Sequence, residues 1–225
     1  MTDYKIFVIN LDRSKDRMKY YKNIKGIRRW KGVDGKTERI PKMYLDKMVS
    51  LPSIKPKNHK TKVACFLSHY KLYEHIVKKK LNNVIICEDD MVIDPVKLKK
   101  LKLKKDGITF LAGWLDSVLV KDKKNFNPST IRKTLKKGTN VINKKKYRIL
   151  GTWGYHIPTW QIASELLDYL KKSERLRHID IMLTRFEKTK YMYYPPPIYP
   201  NENAQESLLG HADIQYQKRN FYKNY

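Results

Sequence analysis

A helical stripe that runs straight into a buried strand ending in three acids constrains this chain more than any other feature. Val63, Phe66, Leu67, Tyr70, Tyr73 and Val77 recur at helical spacing, so residues 61–80 are expected to form an amphipathic helix. Asn82-Asn83 breaks it. Val84-Ile85-Ile86-Cys87 is then a continuous apolar run, the pattern of a central parallel strand, and it stops abruptly at Glu88-Asp89-Asp90. A helix feeding such a strand is half of a βαβ unit. In open α/β sheets, ligand sites lie beyond the carboxyl ends of such strands.

The flanking sequence extends the same pattern. Residues 5–9 form a short apolar run rich in β-branched and aromatic residues and read as a buried strand. Asn10-Leu11-Asp12-Arg13 follows as a loop, and Ser14 is placed to cap a helix over residues 15–24. Residues 28–33 read as a second strand, stopped by the turn pair Asp34-Gly35. Residues 36–58 read as loop with one short helix. Residues 107–112 and 191–194 are further strand candidates, and residues 178–188 a short helix. Pro158 suits the first turn of a helix whose buried stripe is Ala163, Leu166, Leu167 and Leu170. The expected architecture is one α/β domain over residues 1–200, with a mixed sheet flanked by helices. Residues 95–147 are a basic, loop-rich insertion and residues 201–225 a C-terminal tail.

The acidic triplet has two readings. In an extended segment residues i and i+2 point to the same side, so Glu88 and Asp90 are expected to face one way and Asp89 the other. Two converging carboxylates repel unless a hard divalent cation joins them, and such a cation prefers oxygen ligands, which a diphosphate also supplies. The plainer reading is an acidic loop after a strand. Nucleases and phosphotransferases use similar clusters.

Charge narrows the partners. The net charge is +27, and 17 basic against three acidic residues lie within residues 97–148. That balance fits an anionic partner: a nucleotide sugar, a nucleic acid or an anionic membrane surface. A solvated lysine-rich surface explains it equally. Cys65 and Cys87 lack metal-ligand spacing and read as buried free thiols. No run of 18 apolar residues and no secretory leader is seen, so a cytoplasmic location, peripheral to a membrane or virion-associated, is expected.

Three segments occur in order: Val8-Ile9-Asn10-Leu11-Asp12-Arg13-Ser14-Lys15-Asp16-Arg17, Val63-Ala64-Cys65-Phe66-Leu67-Ser68-His69-Tyr70 and Val84-Ile85-Ile86-Cys87-Glu88-Asp89-Asp90. Together they resemble glycosyltransferase family 25, which includes bacterial lipooligosaccharide and collagen galactosyltransferases. The resemblance runs over residues 4–94 and returns at Gly151-Thr152-Trp153-Gly154-Tyr155 and His178-Ile179-Asp180. It departs from the family at Lys62 and Ala64, where the family often has an acid and then a glycine.

The resemblance implies a GT-A-type Rossmann-like fold, a UDP-sugar donor, Mn²⁺ (or Mg²⁺) and inversion at the anomeric carbon. It places Asn10, Leu11, Asp12 and Arg13 at the donor nucleotide, and Arg13 or Arg17 could present a planar fork to phosphate. Asp34 is a candidate for the uracil or ribose, or is simply part of a turn. Ser68 and His69 are candidates for donor contact, with a satisfied core histidine as the alternative. Glu88 and Asp89 fall on the diphosphate side. Asp90 and Glu88 are the expected metal ligands, with His211 as a third, or else a surface histidine. Asp180 is the candidate general base, or else an aspartate stabilised at a helix N-terminus. Gly154 and Tyr155 are assigned to the acceptor, with Tyr155 as a stacking surface.

The function implied is transfer of a hexose, galactose or glucose, to a hydroxyl of a glycan, a lipid-linked glycan or a hydroxylysine. Two other classes compete with it. One is a transferase relative that binds nucleotide or glycan without turnover, which the departures at Lys62 and Ala64 leave open. The other is a basic single-strand binder using the aromatic and basic residues of 216–225. Nucleic acid is disfavoured, because an acidic triplet at a strand end repels phosphate unless a metal is present. Oligomeric state is not legible.

Overall fold

The computed structural model describes residues 4–48, 59–117 and 135–201. Their centre is a seven-stranded mixed sheet in the order β2-β1-β3-β9-β5-β10-β7. β1 (Lys5–Asn10) runs parallel to both β2 (Ile27–Lys31) and β3 (Val84–Glu88). β5 (Gly107–Phe110) runs parallel to β10 (Thr189–Tyr194). β9 (Gly154–Ile157) lies antiparallel between β3 and β5 and joins the two parallel groups. β7 (Gly138–Val141) closes the far edge, antiparallel to β10. Two antiparallel ribbons stand outside the sheet. One pairs β4 (Met91–Ile93) with β11 (Ile198–Pro200), the other β6 (Trp114–Ser117) with β8 (Tyr147–Leu150). This is the α/β Rossmann-like mixed sheet expected from the sequence.

Alternation along the strands explains why both faces of the sheet are covered. Phe7, Val84 and Ile86 pack into one apolar cluster, while Ile6, Val8, Ile85 and Cys87 pack into another. The first face carries α1 (Lys42–Lys47), α2 (His59–Lys78), α4 (Trp160–Lys172) and α5 (Ile179–Arg185). The second carries a 3₁₀ segment (Asp12–Tyr21), α3 (Pro95–Lys99) and the β4–β11 ribbon. Helix α2 is buried on nearly all sides in its first three turns, since Lys62, Ser68 and His69 are covered as well as the apolar stripe. No helix among the described residues is long and apolar enough to cross a membrane.

Several expectations are corrected locally. Ser14 does not cap a helix: its φ of −126° and ψ of 26° kink a 3₁₀ segment that begins at Asp12. Thr159 is the N-cap of α4, its hydroxyl accepting the Ile162 N–H at 3.3 Å, so Pro158 stands before the helix rather than in its first turn. β5 is the strand expected over residues 107–112, while β7, in the span read as a loop-rich insertion, adds an unexpected strand to the central sheet. Residues 118–134, the tail beyond Asn201 and with it His211 lie outside the described residues.

Candidate functional site

β2, β1 and β3 are adjacent and parallel, so their carboxyl ends open side by side. There a cavity of about 100 Å³ is walled by Ile9 and Leu11 at the end of β1, Val33 and Asp34 after β2, and Glu88, Asp89 and Asp90 at the end of β3. Thr61, Cys65, Ser68 and His69 of α2 form the opposite wall, and Arg13 and Arg17 enter from the 3₁₀ segment. This is where an open α/β sheet holds its ligand.

The three acids do not alternate as an extended strand would make them. β3 ends at Glu88 and a turn carries Asp89 and Asp90, so all three reach the same cavity. They differ in their partners. Glu88 accepts the Thr152 hydroxyl at 2.5 Å and faces His69 Nε2 at 3.9 Å. Asp89 is nearly buried: Asn10 Nδ2 donates to one oxygen at 2.7 Å and Arg17 to the other at 3.0 Å. Burial pushes the Asp89 carboxyl up to about 6, against the opposing pull of Arg17. The Tyr21 hydroxyl braces the turn by donating to the Met91 carbonyl at 2.5 Å.

Asn10 is a fastener. Besides Asp89 it donates to the Ser14 carbonyl, and its own oxygen accepts from Arg29 Nε at 2.7 Å. Asp12 does not line the cavity; Arg29, Lys31 and Lys15 surround its carboxylate at 2.6, 2.9 and 3.5 Å. Hydrogen bonds from Lys31 and Arg29 hold it well below the usual carboxylate range. Arg13 Nε donates to Asp34 at 2.6 Å, and the Lys36 N–H donates to the other Asp34 oxygen at 2.9 Å. Burial raises the Asp34 carboxyl, but those two donors outweigh it and the net shift is downward. Asp34 is thus a cavity wall and a turn at once. Gly35 beside it is required by close approach, since a Cβ there would meet the Lys60 carbonyl oxygen at 2.7 Å.

On α2 the Ser68 hydroxyl is spent inside the protein: it donates to the Ala64 carbonyl and accepts the Val33 N–H, each at 2.8 Å. His69 is 1% exposed, and its Nδ1 meets the Tyr155 hydroxyl at 2.7 Å. Tyr155 in turn meets the Tyr73 hydroxyl at 2.6 Å. This corrects the acceptor assignment. Tyr155 is fully buried and cannot offer a ring face, and Gly154 is small because a Cβ there would sit 2.7 Å from Ile198 Cδ1. Asp180 is not in the cavity wall. One of its oxygens accepts the Gly151 N–H at 3.0 Å and the other the Ile181 N–H at 2.7 Å. Residues 151 and 152 therefore link the Asp180 and Glu88 carboxylates through adjacent positions.

A family model described as "Glycosyltransferase family 25 (LPS biosynthesis protein)" matches residues 3–183. The chain belongs to glycosyltransferase family 25. A glycosyltransferase 25 family member of Aedes aegypti is 24% identical over 216 residues, 92% of this chain and 32% of the relative. One of Drosophila melanogaster is 35% identical over 104 residues, 40% of this chain and 16% of the relative. Human procollagen galactosyltransferase 2 is 28% identical over 113 residues, 46% of this chain and 18% of the relative. The chain spans about a third or less of the length of the curated relatives it matches.

Against this family background, three features were not read from the sequence. Cys65 lines the cavity, one helical turn before His69; that i, i+4 spacing was the available signal. Thr152, inside a quoted motif, orients Glu88. Lys62 is 5% exposed and its ammonium has no hydrogen-bond partner among the described residues, and burial lowers it to about 8.

Proposed function

We propose that this family 25 chain transfers a hexose, galactose or glucose, from a UDP-sugar to a hydroxyl of a glycan or hydroxylysine, with inversion. The observation that carries this is the cavity at the carboxyl ends of β1, β2 and β3, whose wall brings Arg13 and Arg17 together with Glu88, Asp89 and Asp90. The galactosyl donor and a procollagen-type acceptor are suggested by the name of the human relative. A lipid-linked glycan acceptor, and an anionic membrane surface met by the basic residues of 97–148, fit the charge.

Arg13 and Arg17 supply cationic forks where a diphosphate would lie, and Asp34 is the candidate contact for the uracil or ribose. Two carboxylates at the same cavity, Glu88 and Asp90, are a donor set suited to a hard divalent ion such as Mn²⁺ or Mg²⁺. Such an ion, when bound, neutralises charge that builds on the departing UDP. Asn10 and Asp89 hold Arg17 in place, and Thr152 fixes the orientation of Glu88. Asp180 takes the role of base toward an acceptor hydroxyl approaching over residues 151 and 152.

The test is UDP release and sugar transfer across a panel of UDP-sugars with Mn²⁺. Release with UDP-galactose or UDP-glucose is expected. If no donor turns over and Asp90→Ala binds UDP as well as the parent does, the reading fails. Lys62 favours a second reading, nucleotide binding without turnover, because it puts a buried cation where the family often has an acid. UDP binding without sugar release would select it.

A further inference from the structure

We propose that Cys65, His69 and Glu88 form a binding site for a borderline-soft divalent cation of the Zn²⁺ class, chemically distinct from an all-oxygen site for Mn²⁺ or Mg²⁺. Cys65 and His69 stand four residues apart on α2, on one face of the helix. The strand end of β3 brings Glu88 against them. The sulfur, a ring nitrogen and a carboxylate oxygen all lie within 4.8 Å of one another. Around a tetrahedral Zn²⁺, with bonds of about 2.0–2.3 Å, two ligand atoms sit roughly 3.5 Å apart. A contraction of about 1 Å therefore completes the site, within reach of rotamer adjustment.

The imidazole is set up as a ligand. His69 is 1% exposed and its Nε2 has no hydrogen-bond partner among the described residues, yet it points at Glu88 Oε1 from 3.9 Å. A neutral imidazole has one N–H. With that proton on Nδ1, donated to the Tyr155 oxygen, Tyr155 donates onward to Tyr73 and Nε2 is left as a lone pair. Metal-ligating histidines use their second nitrogen in this way, and such an outer partner fixes both tautomer and ring orientation. Glu88 is oriented on its side by the Thr152 hydroxyl.

All three side chains line the cavity, so the described residues give the site three protein ligands and a fourth position that opens toward the cavity. That count is the one found where zinc keeps an exchangeable position. A thiol and an imidazole select Zn²⁺ or Co²⁺ over Mn²⁺ and Mg²⁺, which prefer oxygen. Binding replaces the thiol proton, which leaves to solvent.

The experiment uses Co²⁺ as a spectroscopic probe on the full chain. Titration should give a thiolate-to-cobalt charge-transfer band and intense tetrahedral visible bands, displaced by Zn²⁺ and not by equal Mn²⁺ or Mg²⁺. Cys65→Ser should abolish the charge-transfer band. Cys87→Ser should keep it, because Cys87 packs on the opposite face of the sheet. Tyr155→Phe should weaken Co²⁺ binding about tenfold or more while the band persists. No band in the parent protein, a band that survives Cys65→Ser, or displacement by equimolar Mn²⁺ would each overturn the assignment. Binding of UDP with Mn²⁺ is scored separately. A protein that binds UDP without the band loses only this inference, and one with the band that binds no UDP loses only the donor reading.

Discussion

Arg17 and Asp89 are joined at 3.0 Å, each side chain about a tenth exposed, and this pair pins the 3₁₀ segment after β1 to the acidic turn after β3. A buried pair contributes little net stability, but removing one partner strands the other charge. Arg17→Met or Asp89→Ala should each cost about 3–5 kcal/mol in chemical denaturation. Arg17→Met/Asp89→Ala together should cost clearly less than the sum, and an additive result would show that the two are not coupled.

Asp90 has a different task, and its replacement should look different. Asp90→Asn should leave folding stability closer to the parent than either Asp89 or Arg17 variant does. It should lower UDP-sugar turnover by about 100-fold or more, the scale of losing several kcal/mol of charge stabilisation. Initial rates beside urea unfolding curves separate the two effects.

Asp180 distinguishes catalysis from support. Asp180→Asn keeps an oxygen for the Gly151 N–H but loses the basic carboxylate. It should fold and bind UDP like the parent while transferring sugar about 100-fold slower or more. Isothermal titration with UDP beside initial transfer rates would decide it, and an unchanged rate would remove Asp180 from proton transfer.

His156 gives the sheet an acid sensitivity. It is 1% exposed in β9, neither ring nitrogen has a hydrogen-bond partner among the described residues, and Tyr4 packs edge-on to it at 5.6 Å. Burial lowers its imidazole to about 4. The folded value lies below the free one, so the unfolded chain binds the proton better. The stabilising contribution is whole above about pH 6.5 and is lost as pH falls toward 4, on the order of 3 kcal/mol at most. His156→Phe should flatten the stability curve between those two values, read by urea midpoints at half-unit steps of pH.

What was legible in the sequence follows from how strongly each segment is patterned. β1, β3 and α2 carry apolar runs long enough to outweigh their surroundings, and β3 announced the site because acids cut it off. β7 was not legible: Gly-Thr-Asn-Val is a four-residue edge strand with Val141 exposed, set among lysines. The three-residue strands β4 and β11 are held by each other rather than by any pattern of their own. At the site, Arg13, Arg17, Glu88 and Asp90 were placed at the cavity by position after a strand. The burial of Tyr155 was hidden because a tyrosine's exposure depends on where its hydroxyl finds partners, here His69 and Tyr73 across 86 and 82 residues.

The antiparallel strand β9 has a consequence for synthesis. It is the strand that stitches β2-β1-β3 to β5-β10 among the described residues, yet it comes after both β3 and β5 in the chain. A nascent chain stopped short of residue 154 would display a bare sheet edge along β3 and leave β5 with neither of its partners, β9 and β10, and Glu88 would lack its Thr152 neighbour until residue 152 was made. Exposed edges of that kind invite pairing with other chains. The route to the native fold should therefore be sensitive to translation speed through the lysine-rich stretch that precedes β9, where a pause would prolong the vulnerable interval.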